Sequence, residues 1–121
     1  MDYDAALRYL DANANYERTG KVDTPSVEGI AKLMDIMGNP HLAYPVIHIT
    51  GTNGKGSTAQ IITRILMAHG LTVGTYSSPH LHRVNERITR DCEPISDEEF
   101  GRVMGEVADL ETLGGVSPSY F

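Results

Sequence analysis

The chain has a single cysteine, no tryptophan and no long hydrophobic run among its 121 residues. One cysteine excludes an intramolecular disulfide, and without a signal-peptide pattern the expected location is the cytoplasm. No apolar stretch reaches the length of a transmembrane helix, so no membrane partner is expected. A stripe of basic residues is also missing, which argues against binding to nucleic acid.

Negative charge is concentrated in one part of the chain, whose formal net charge is −6. Residues 1–90 carry nine Lys and Arg against eight Asp and Glu, whereas residues 91–121 carry one against eight. The sequence Ser96-Asp97-Glu98-Glu99 has the pattern of a capping box, with acids in the first helical turn. Most of the acidic excess is therefore interpreted as helix stabilisation and a solvated helix face.

Apolar periodicity and turn-forming residues predict four helices, two parallel strands and a β-hairpin. The helices are expected at Asp4–Ala12, from Thr24 (N-cap, with Pro25 in the first position) to Gly38, at Ser57–His69 with Gly70 as C-cap, and at Asp97–Leu113. The parallel strands are Val46–Thr50 and Thr72–Tyr76, and the hairpin joins Val84–Arg90 to Glu93–Ile95. The order strand, helix, strand predicts an α/β fold, a P-loop type unit with parallel strands flanked by helices.

These elements carry expectations about burial. His48, inside the first strand, is expected to be a hydrogen-bonded core residue, whereas period-two alternation puts Asn85, Glu86 and Arg87 on an exposed strand face. Apolar side chains of two helices are expected to pack into the core: Val27, Ile30, Ala31, Met34 and Met37 on one, and Ile61, Ile62, Ile65 and Leu66 on the other.

The segment VIHITGTNGKGS, Val46 to Ser57, joins an apolar run to a glycine-rich turn with one lysine. Glycines let backbone N–H groups converge on a phosphate, and the following helix directs its positive end at the anion. Lys55 is expected to reach the β- and γ-phosphates, and Ser57 or Thr58 to hold Mg²⁺. The predicted ATP-binding residues are Gly51, Thr52, Asn53, Gly54, Lys55, Gly56, Ser57 and Thr58.

This loop departs from the general pattern GxxxxGKS/T. Gly51 lies only three residues before Gly54, and Gly56 separates Lys55 from Ser57. A plain glycine turn with an incidental lysine is the alternative, but the strand and helix on either side favour a phosphate loop.

A second polar segment, Ser77 to Arg83, follows the second predicted strand. Ligands of open α/β sheets gather beyond the carboxyl ends of the strands, so this segment and the phosphate loop are expected to face each other. Taken alone, the residues favour an ordinary solvated turn. His80 and His82 have metal-ligand chemistry, but no zinc site is expected because no third candidate ligand lies close by in the sequence.

The loop GTNGKGS resembles the ATP-binding loop of the Mur ligase family, within it the folylpolyglutamate synthase/dihydrofolate synthase branch. The segment TYSSPHLHRVNERI, Thr75–Ile88, is similar to the second signature of that branch, and Thr24–Pro40 resembles the helix that precedes the loop. The resemblance implies that Ser78 is a Mg²⁺ ligand, in addition to Ser57 of the phosphate loop. It also implies that the loop after Ser78 contacts the pterin-bearing substrate, with His80 and Arg83 as candidates.

The resemblance implies ATP-dependent amide ligation, with Lys55 as the catalytic residue. ATP would phosphorylate the carboxylate of a folate or dihydropteroate, and L-glutamate would displace phosphate from the acyl phosphate. Such ligases are several times longer than this chain. Residues 1–121 are therefore expected to be the N-terminal part of a truncated Mur-ligase-like ATPase domain, without the C-terminal glutamate-binding domain and inactive alone.

Two other functions stay open. The first is a different P-loop phosphotransferase, which a strict GxxxxGKS/T loop would favour. The second is a nucleotide-binding module without turnover, which ATP binding without product formation would identify.

Overall fold

The computed structural model describes residues 1–13, 20 and 26–120. Its helices are α1 (Tyr3–Ala12), α2 (Glu28–Ile36), α3 (Lys55–Ala68) and α4 (Asp97–Gly114), with 3-10 turns at η1 (Pro40–Leu42) and η2 (Val84–Arg87). The strands are β1 (Gly74–Tyr76), β2 (Ile88–Arg90) and β3 (Glu93–Pro94). The chain divides into two compact units, one of Met1–Pro45 with Phe100–Phe121 and the other of Val46–Glu99.

The first unit is helical, and of the residues that the structure describes it contains most of the buried apolar ones. Asp2 caps α1 by accepting the Ala5 N–H at 2.7 Å, as the N-cap position favours. Ala6 and Phe100 are 0% and 2% exposed, and Tyr3 meets the Phe100 ring edge-to-face at a centroid distance of 5.7 Å. The helices predicted at Asp4–Ala12 and Asp97–Leu113 are confirmed to within a residue.

The helix α2 buries only part of the face predicted for it. Its most buried residue is Leu33, and Met34 and Met37 are half-buried, whereas Val27, Ile30 and Ala31 are exposed. The helix ends in a Schellman motif, in which Gly38 (φ 81°) and Asn39 donate to Asp35 and Met34. The predicted cap at Thr24 and Pro25 lies outside the described residues.

The second unit holds a three-stranded sheet in the order β1-β2-β3, and both pairings are antiparallel. The predicted parallel pairing is therefore wrong for the described residues, because β1 pairs with β2, opposite Arg90, Thr89 and Ile88. The predicted strand 46–50 is also wrong: it has no regular structure, Val46 and Ile47 are 68% and 60% exposed, and His48 is exposed. A strand needs backbone partners, and no described segment pairs with these residues.

The predicted hairpin is confirmed at its turn and corrected at its first arm. Asp91 and Cys92 both have positive φ, 50° and 69°, which is the twist that two-residue hairpin turns require. Asp91 also binds the start of β1, since its backbone N–H donates to the Val73 carbonyl and its carboxylate accepts the Val73 N–H. The predicted arm is shorter, because Val84–Arg87 forms a 3-10 turn and only residues 88–90 pair.

The helix α3 packs on this sheet through a narrow stripe. Thr63 is 3% exposed and its hydroxyl lies 2.8 Å from the Thr75 hydroxyl of β1. Ile62 and Leu66 are half-buried, but Ile61 and Ile65 are 60% and 52% exposed, contrary to the prediction, because three short strands cover only one side of the helix.

The mixed α/β class is confirmed by these elements. Within the described ranges, no helix has the length and apolar character needed to cross a membrane.

Candidate functional site

The phosphate loop predicted at residues 51–58 forms an exposed turn that leads directly into α3. Gly51 and Gly54 have positive φ, 149° and 75°, so both need the conformational freedom of glycine. Gly54 is the N-cap of α3 and its carbonyl accepts the Thr58 N–H at 2.9 Å. The N–H groups of residues 55–57 precede that first helical bond and have no carbonyl partner within the helix.

Lys55 opens the helix and folds back over the loop, where its Nζ donates to the Gly51 carbonyl oxygen. The first turn of α3 contains no acidic residue, and no side chain caps it. The positive end of the helix dipole, the free N–H groups and the ammonium group therefore act together at one exposed place. That combination attracts anions, phosphate above all.

The loop glycines differ in whether their backbone conformation requires glycine, although each has room for a Cβ atom. A Cβ at Gly54 or Gly56 would meet nothing within 4 Å, and one at Gly51 would touch only the Lys55 Cγ at 4.0 Å. Gly51 and Gly54 are therefore required by their φ angles. Gly56 has an ordinary helical conformation, so neither strain nor packing within the chain requires glycine there, and open space remains for a ligand.

The second predicted segment, residues 77–83, is held by residues that the sequence pattern assigns to an exposed strand face. The Ser77 N–H donates to the Arg87 carbonyl at 2.9 Å, and Arg87 Nε donates to His80 Nδ1 at 2.8 Å. Arg87 is 5% exposed, whereas Ser78, joined to Pro79 by a cis peptide bond, is exposed. The prediction that Arg87 faces solvent on a strand is wrong, because η2 turns it inward.

Glu86 binds the backbone of the same segment. Its carboxylate accepts the N–H groups of Leu81, His82 and Arg83 at 2.8–2.9 Å. These hydrogen bonds, led by the one from Leu81, favour the ionised form and lower the pKa of Glu86 to about 2. Glu86, predicted to be a solvated strand residue, therefore fixes the backbone of this loop.

Arg83 and Asn85 connect this segment to the start of α4. The Arg83 guanidinium contacts both carboxylate oxygens of Asp97, at 2.7 and 2.9 Å, with both side chains about half exposed. Asn85, only 4% exposed, donates to Asp97 and to the Ile95 carbonyl at 3.0 and 2.8 Å. Asp97, predicted as an acid of the first helical turn, is thus also the partner of Arg83, and no local sequence signal marks this pairing.

The predicted residues therefore form two structured groups within the second unit. Residues 51–58 form the turn and first helical turn around Lys55, and residues 77–83 form a loop arranged by Glu86 and Arg87. Ser57, Thr58 and Ser78 all expose their hydroxyl-bearing side chains to solvent. The first group opens α3 and the second follows β1, and these two elements meet at Thr63 and Thr75.

No protein-family profile matches the chain, but individual relatives do. A folylpolyglutamate synthase from Lacticaseibacillus casei is 43% identical over 114 residues, which are 93% of this chain and 26% of that relative. A dihydrofolate synthase/folylpolyglutamate synthase from Mycobacterium tuberculosis is 40% identical over 89 residues, 74% of the chain and 18% of the relative. The chain thus spans about a quarter or less of these relatives.

Solved structures agree with the sequence relatives. The chain matches a folylpolyglutamate synthetase from Lactobacillus casei with a TM-score of 0.85 and 33% identity, over 100% of the chain and 30% of that protein. It matches the folylpolyglutamate synthase of Thermotoga maritima with a TM-score of 0.78 and 40% identity, over 98% and 27%. The resemblance carried by the two signature segments is therefore confirmed, and the chain belongs to the folylpolyglutamate synthase/dihydrofolate synthase family.

Proposed function

We propose that this chain supplies the ATP phosphate-binding part of a ligase that joins L-glutamate to a carboxylate of a folate or dihydropteroate. The observation that carries the proposal is the exposed anion site at the start of α3, where Lys55, Gly54 and free N–H groups converge. One similar solved structure, with a TM-score of 0.86 and 34% identity, is a folylpolyglutamate synthase complex with AMPPCP and folate. An ATP analogue and folate bound to a relative support the same ligands here.

In this reaction, the role of the chain is to position the phosphates of ATP and to neutralise their charge. The γ-phosphoryl group passes to a carboxylate oxygen of the folate or dihydropteroate, which gives ADP and an acyl phosphate. The amine of glutamate then attacks the acyl carbon, the bond to phosphate breaks, and the nitrogen loses a proton. Lys55 exchanges the Gly51 carbonyl for phosphate oxygens, and its charge stabilises the migrating group in the transition state.

Magnesium fits the side chains available beside the loop. Ser57 and Ser78 offer hydroxyl oxygens, the hard ligands that Mg²⁺ accepts together with phosphate oxygens and water. When bound, the ion would neutralise charge on the β- and γ-phosphates. The two serines are the residues proposed to hold it.

The path of the chain supports the placement of Ser78 beside the phosphate loop. Residues 69–73 alone connect the end of α3 to β1, so β1 starts near the carboxyl end of the helix. Thr75 then contacts Thr63, in the middle of α3, which indicates that β1 runs back along the helix. Its carboxyl end, followed by Ser77 and Ser78, is therefore directed towards the start of α3.

The contacts of His80 and Arg83 differ, and so do their proposed substrate roles. Arg83 already pairs with Asp97, so a substrate carboxylate would have to displace Asp97 or share the guanidinium. His80 uses Nδ1 for Arg87 and keeps Nε2 for a ligand. We therefore assign the first contact with the pterin-bearing substrate to His80 in preference to Arg83.

The proposal also covers the setting of the chain. Residues 1–121 are proposed to be the N-terminal part of an ATP-binding domain, with most of the glutamate site contributed by residues outside this sequence, since the relatives are about four times longer. A cytoplasmic location belongs to the proposal as well.

Titration calorimetry with ATP and Mg²⁺ tests the phosphate site. Lys55→Ala should abolish measurable ATP affinity while circular dichroism stays unchanged, because the exposed side chain contributes little packing. Lys32→Ala, an exposed lysine-to-alanine change on α2, is the matched control and should bind like the parent chain. Equal affinity of the parent chain and Lys55→Ala would contradict the proposal.

Product analysis separates the ligase from a different phosphotransferase. The chain is incubated with ATP, dihydropteroate or tetrahydrofolate, and labelled glutamate. Since the chain is proposed to be only the N-terminal part of the ligase, ATP binding without product is the result expected of it alone and fits a nucleotide-binding module equally. Phosphate transfer to an acceptor that does not go on to react with glutamate favours a phosphotransferase. A folylglutamate or dihydrofolate product establishes ligation directly.

A further inference from the structure

The loop that carries Ser78 owes its shape to two neighbouring residues of η2. Glu86 receives the three successive N–H groups of residues 81–83, and Arg87 holds residues on both sides of Ser78. The Arg87 carbonyl accepts the Ser77 N–H and its Nε donates to His80. Five of the seven residues from Ser77 to Arg83 therefore bond to this pair.

The pair is itself fixed to the fold. Val84, Asn85 and Arg87 are 8%, 4% and 5% exposed, and Asn85 bonds to the Ile95 carbonyl and to Asp97. The η2 turn thus rests on the segment that leads into α4. A loop held in this way keeps its conformation before any ligand arrives, which reduces the entropy lost on binding.

Ser78 itself makes none of these hydrogen bonds among the described residues. It is exposed, and without the bonds to Glu86 and Arg87 the turn that carries its hydroxyl would sample many positions. Metal ligands depend on neighbours that orient them, and loss of such a neighbour typically lowers metal affinity 10- to 100-fold. The residues that fix the backbone around Ser78 are therefore expected to contribute to Mg²⁺ affinity as well as to the stability of the fold.

We propose that Glu86 is a positioning residue, whose carboxylate holds residues 81–83 so that Ser78 presents its hydroxyl to the Mg²⁺ of a bound nucleotide. The proposal rests on the proposed function, in which Ser78 is a metal ligand. A glutamine at position 86 has one oxygen that can accept hydrogen bonds, where glutamate has two. Its second group is an NH₂ donor, which cannot accept from the N–H groups of residues 81–83. Glu86→Gln should therefore loosen the loop without creating a cavity.

The experiment measures ATP affinity by calorimetry with saturating Mg²⁺ and again with EDTA. The ratio of the two affinities is the Mg²⁺ enhancement. It is compared for the parent chain, Ser78→Ala, Glu86→Gln and the double variant. Glu98→Gln, an equal change of charge at an exposed position of α4, is the matched control.

Glu86→Gln is expected to lower the Mg²⁺ enhancement about 10-fold or more, while affinity in EDTA and the control stay unchanged. The double variant should lose no more than Ser78→Ala alone, because both changes remove the same interaction. Faster amide hydrogen exchange at residues 81–83 in Glu86→Gln would show that the loop is the intermediary. Additive losses in the double variant would overturn the positioning role.

Failure of the inference differs from failure of the proposed function. If Ser78→Ala lowers the enhancement and Glu86→Gln does not, Ser78 is a metal ligand but Glu86 does not position it. If Ser78→Ala has no effect, the metal role of Ser78 falls, and the role of Glu86 falls with it. Glu86→Asp, which keeps the charge on a shorter side chain, replaces Glu86→Gln if the latter fails to fold, and an unchanged enhancement there overturns the proposal.

Discussion

Arg87 donates a hydrogen bond from Nε to Nδ1 of His80 over 2.8 Å, from a side chain that is only 5% exposed. A guanidinium nitrogen always carries its hydrogen, so the imidazole nitrogen it meets must be the acceptor. The proton of the neutral His80 ring therefore lies on Nε2. That nitrogen is a donor, suited to an oxygen atom of a ligand.

The first prediction concerns this tautomer. Nitrogen-15 NMR of the histidine rings should show His80 with an unprotonated Nδ1 and a protonated Nε2. Arg87→Lys should abolish that preference and destabilise the chain by about 1–3 kcal/mol, because a buried polar network loses a partner. The exposed ring of His82 is the internal control, since Arg87→Lys should not move it. A protonated Nδ1 in the parent chain would contradict the assignment.

A second prediction separates shape from ligand contact at the phosphate loop. Gly56→Ala should leave stability equal or raise it by up to about 1 kcal/mol, because alanine is the better helix former and meets nothing within 4 Å. It should still weaken ATP binding, because the methyl group enters the space proposed for phosphate. Gly54→Ala should destabilise by about 1–2 kcal/mol through its positive φ of 75°. Denaturant titration and calorimetry on both variants measure the two effects.

Gly54→Ala and Gly56→Ala serve as controls for each other. Unchanged ATP affinity in Gly56→Ala would mean that phosphate does not approach residue 56. A stability loss in Gly56→Ala equal to that in Gly54→Ala would mean that the helix begins later than Lys55.

Local signals in the sequence predicted the parts of the fold that depend on local chemistry. The Asp91-Cys92 turn, the glycine stop at Gly70 and the Ser96 cap were all predictable, because each reflects a conformational or capping preference of single residues. The direction of strand pairing was not predictable, because it depends on which distant segment supplies the partner. Residues 46–50 have an apolar strand pattern and no described partner.

The site shows the same division. The glycine turn with Lys55 at a helix start was predictable because these residues are contiguous in sequence, and its binding of phosphate stays a prediction. The contacts of Glu86 and Arg87 were not, because alternation in VNERI is compatible with a strand, and only the 3-10 turn brings both side chains back to residues 77–83. The Arg83–Asp97 pair joins residues 14 positions apart and leaves no periodic trace.

A third prediction uses two glycines of α4. A Cβ at Gly101 would collide with the backbone carbonyl of Met1 and lie 3.1 Å from the backbone carbon of Asp2. Gly101→Ala should therefore cost about 1–3 kcal/mol. At Gly114 the Cβ would instead meet the terminal methyl of the Ile36 side chain, which can rotate away. Gly114→Ala should change stability by less than about 1 kcal/mol, and equal losses in the two variants on denaturant titration would contradict the packing of α4 on residues 1–2.

The last prediction follows from the pKa of Glu86, lowered from 4.5 to about 2 mainly by its hydrogen bonds to the loop backbone. Because the folded state binds this proton more weakly than the unfolded state, the carboxylate stabilises the fold fully above pH 4.5. That contribution declines as the pH falls from 4.5 towards 2. The free energy of unfolding, measured by denaturant titration from pH 2 to pH 7, should therefore differ most between the parent chain and Glu86→Gln near pH 6. The difference should shrink steadily below pH 4.5. A constant difference for Glu86→Gln across the range would mean that its carboxylate is not held by the loop.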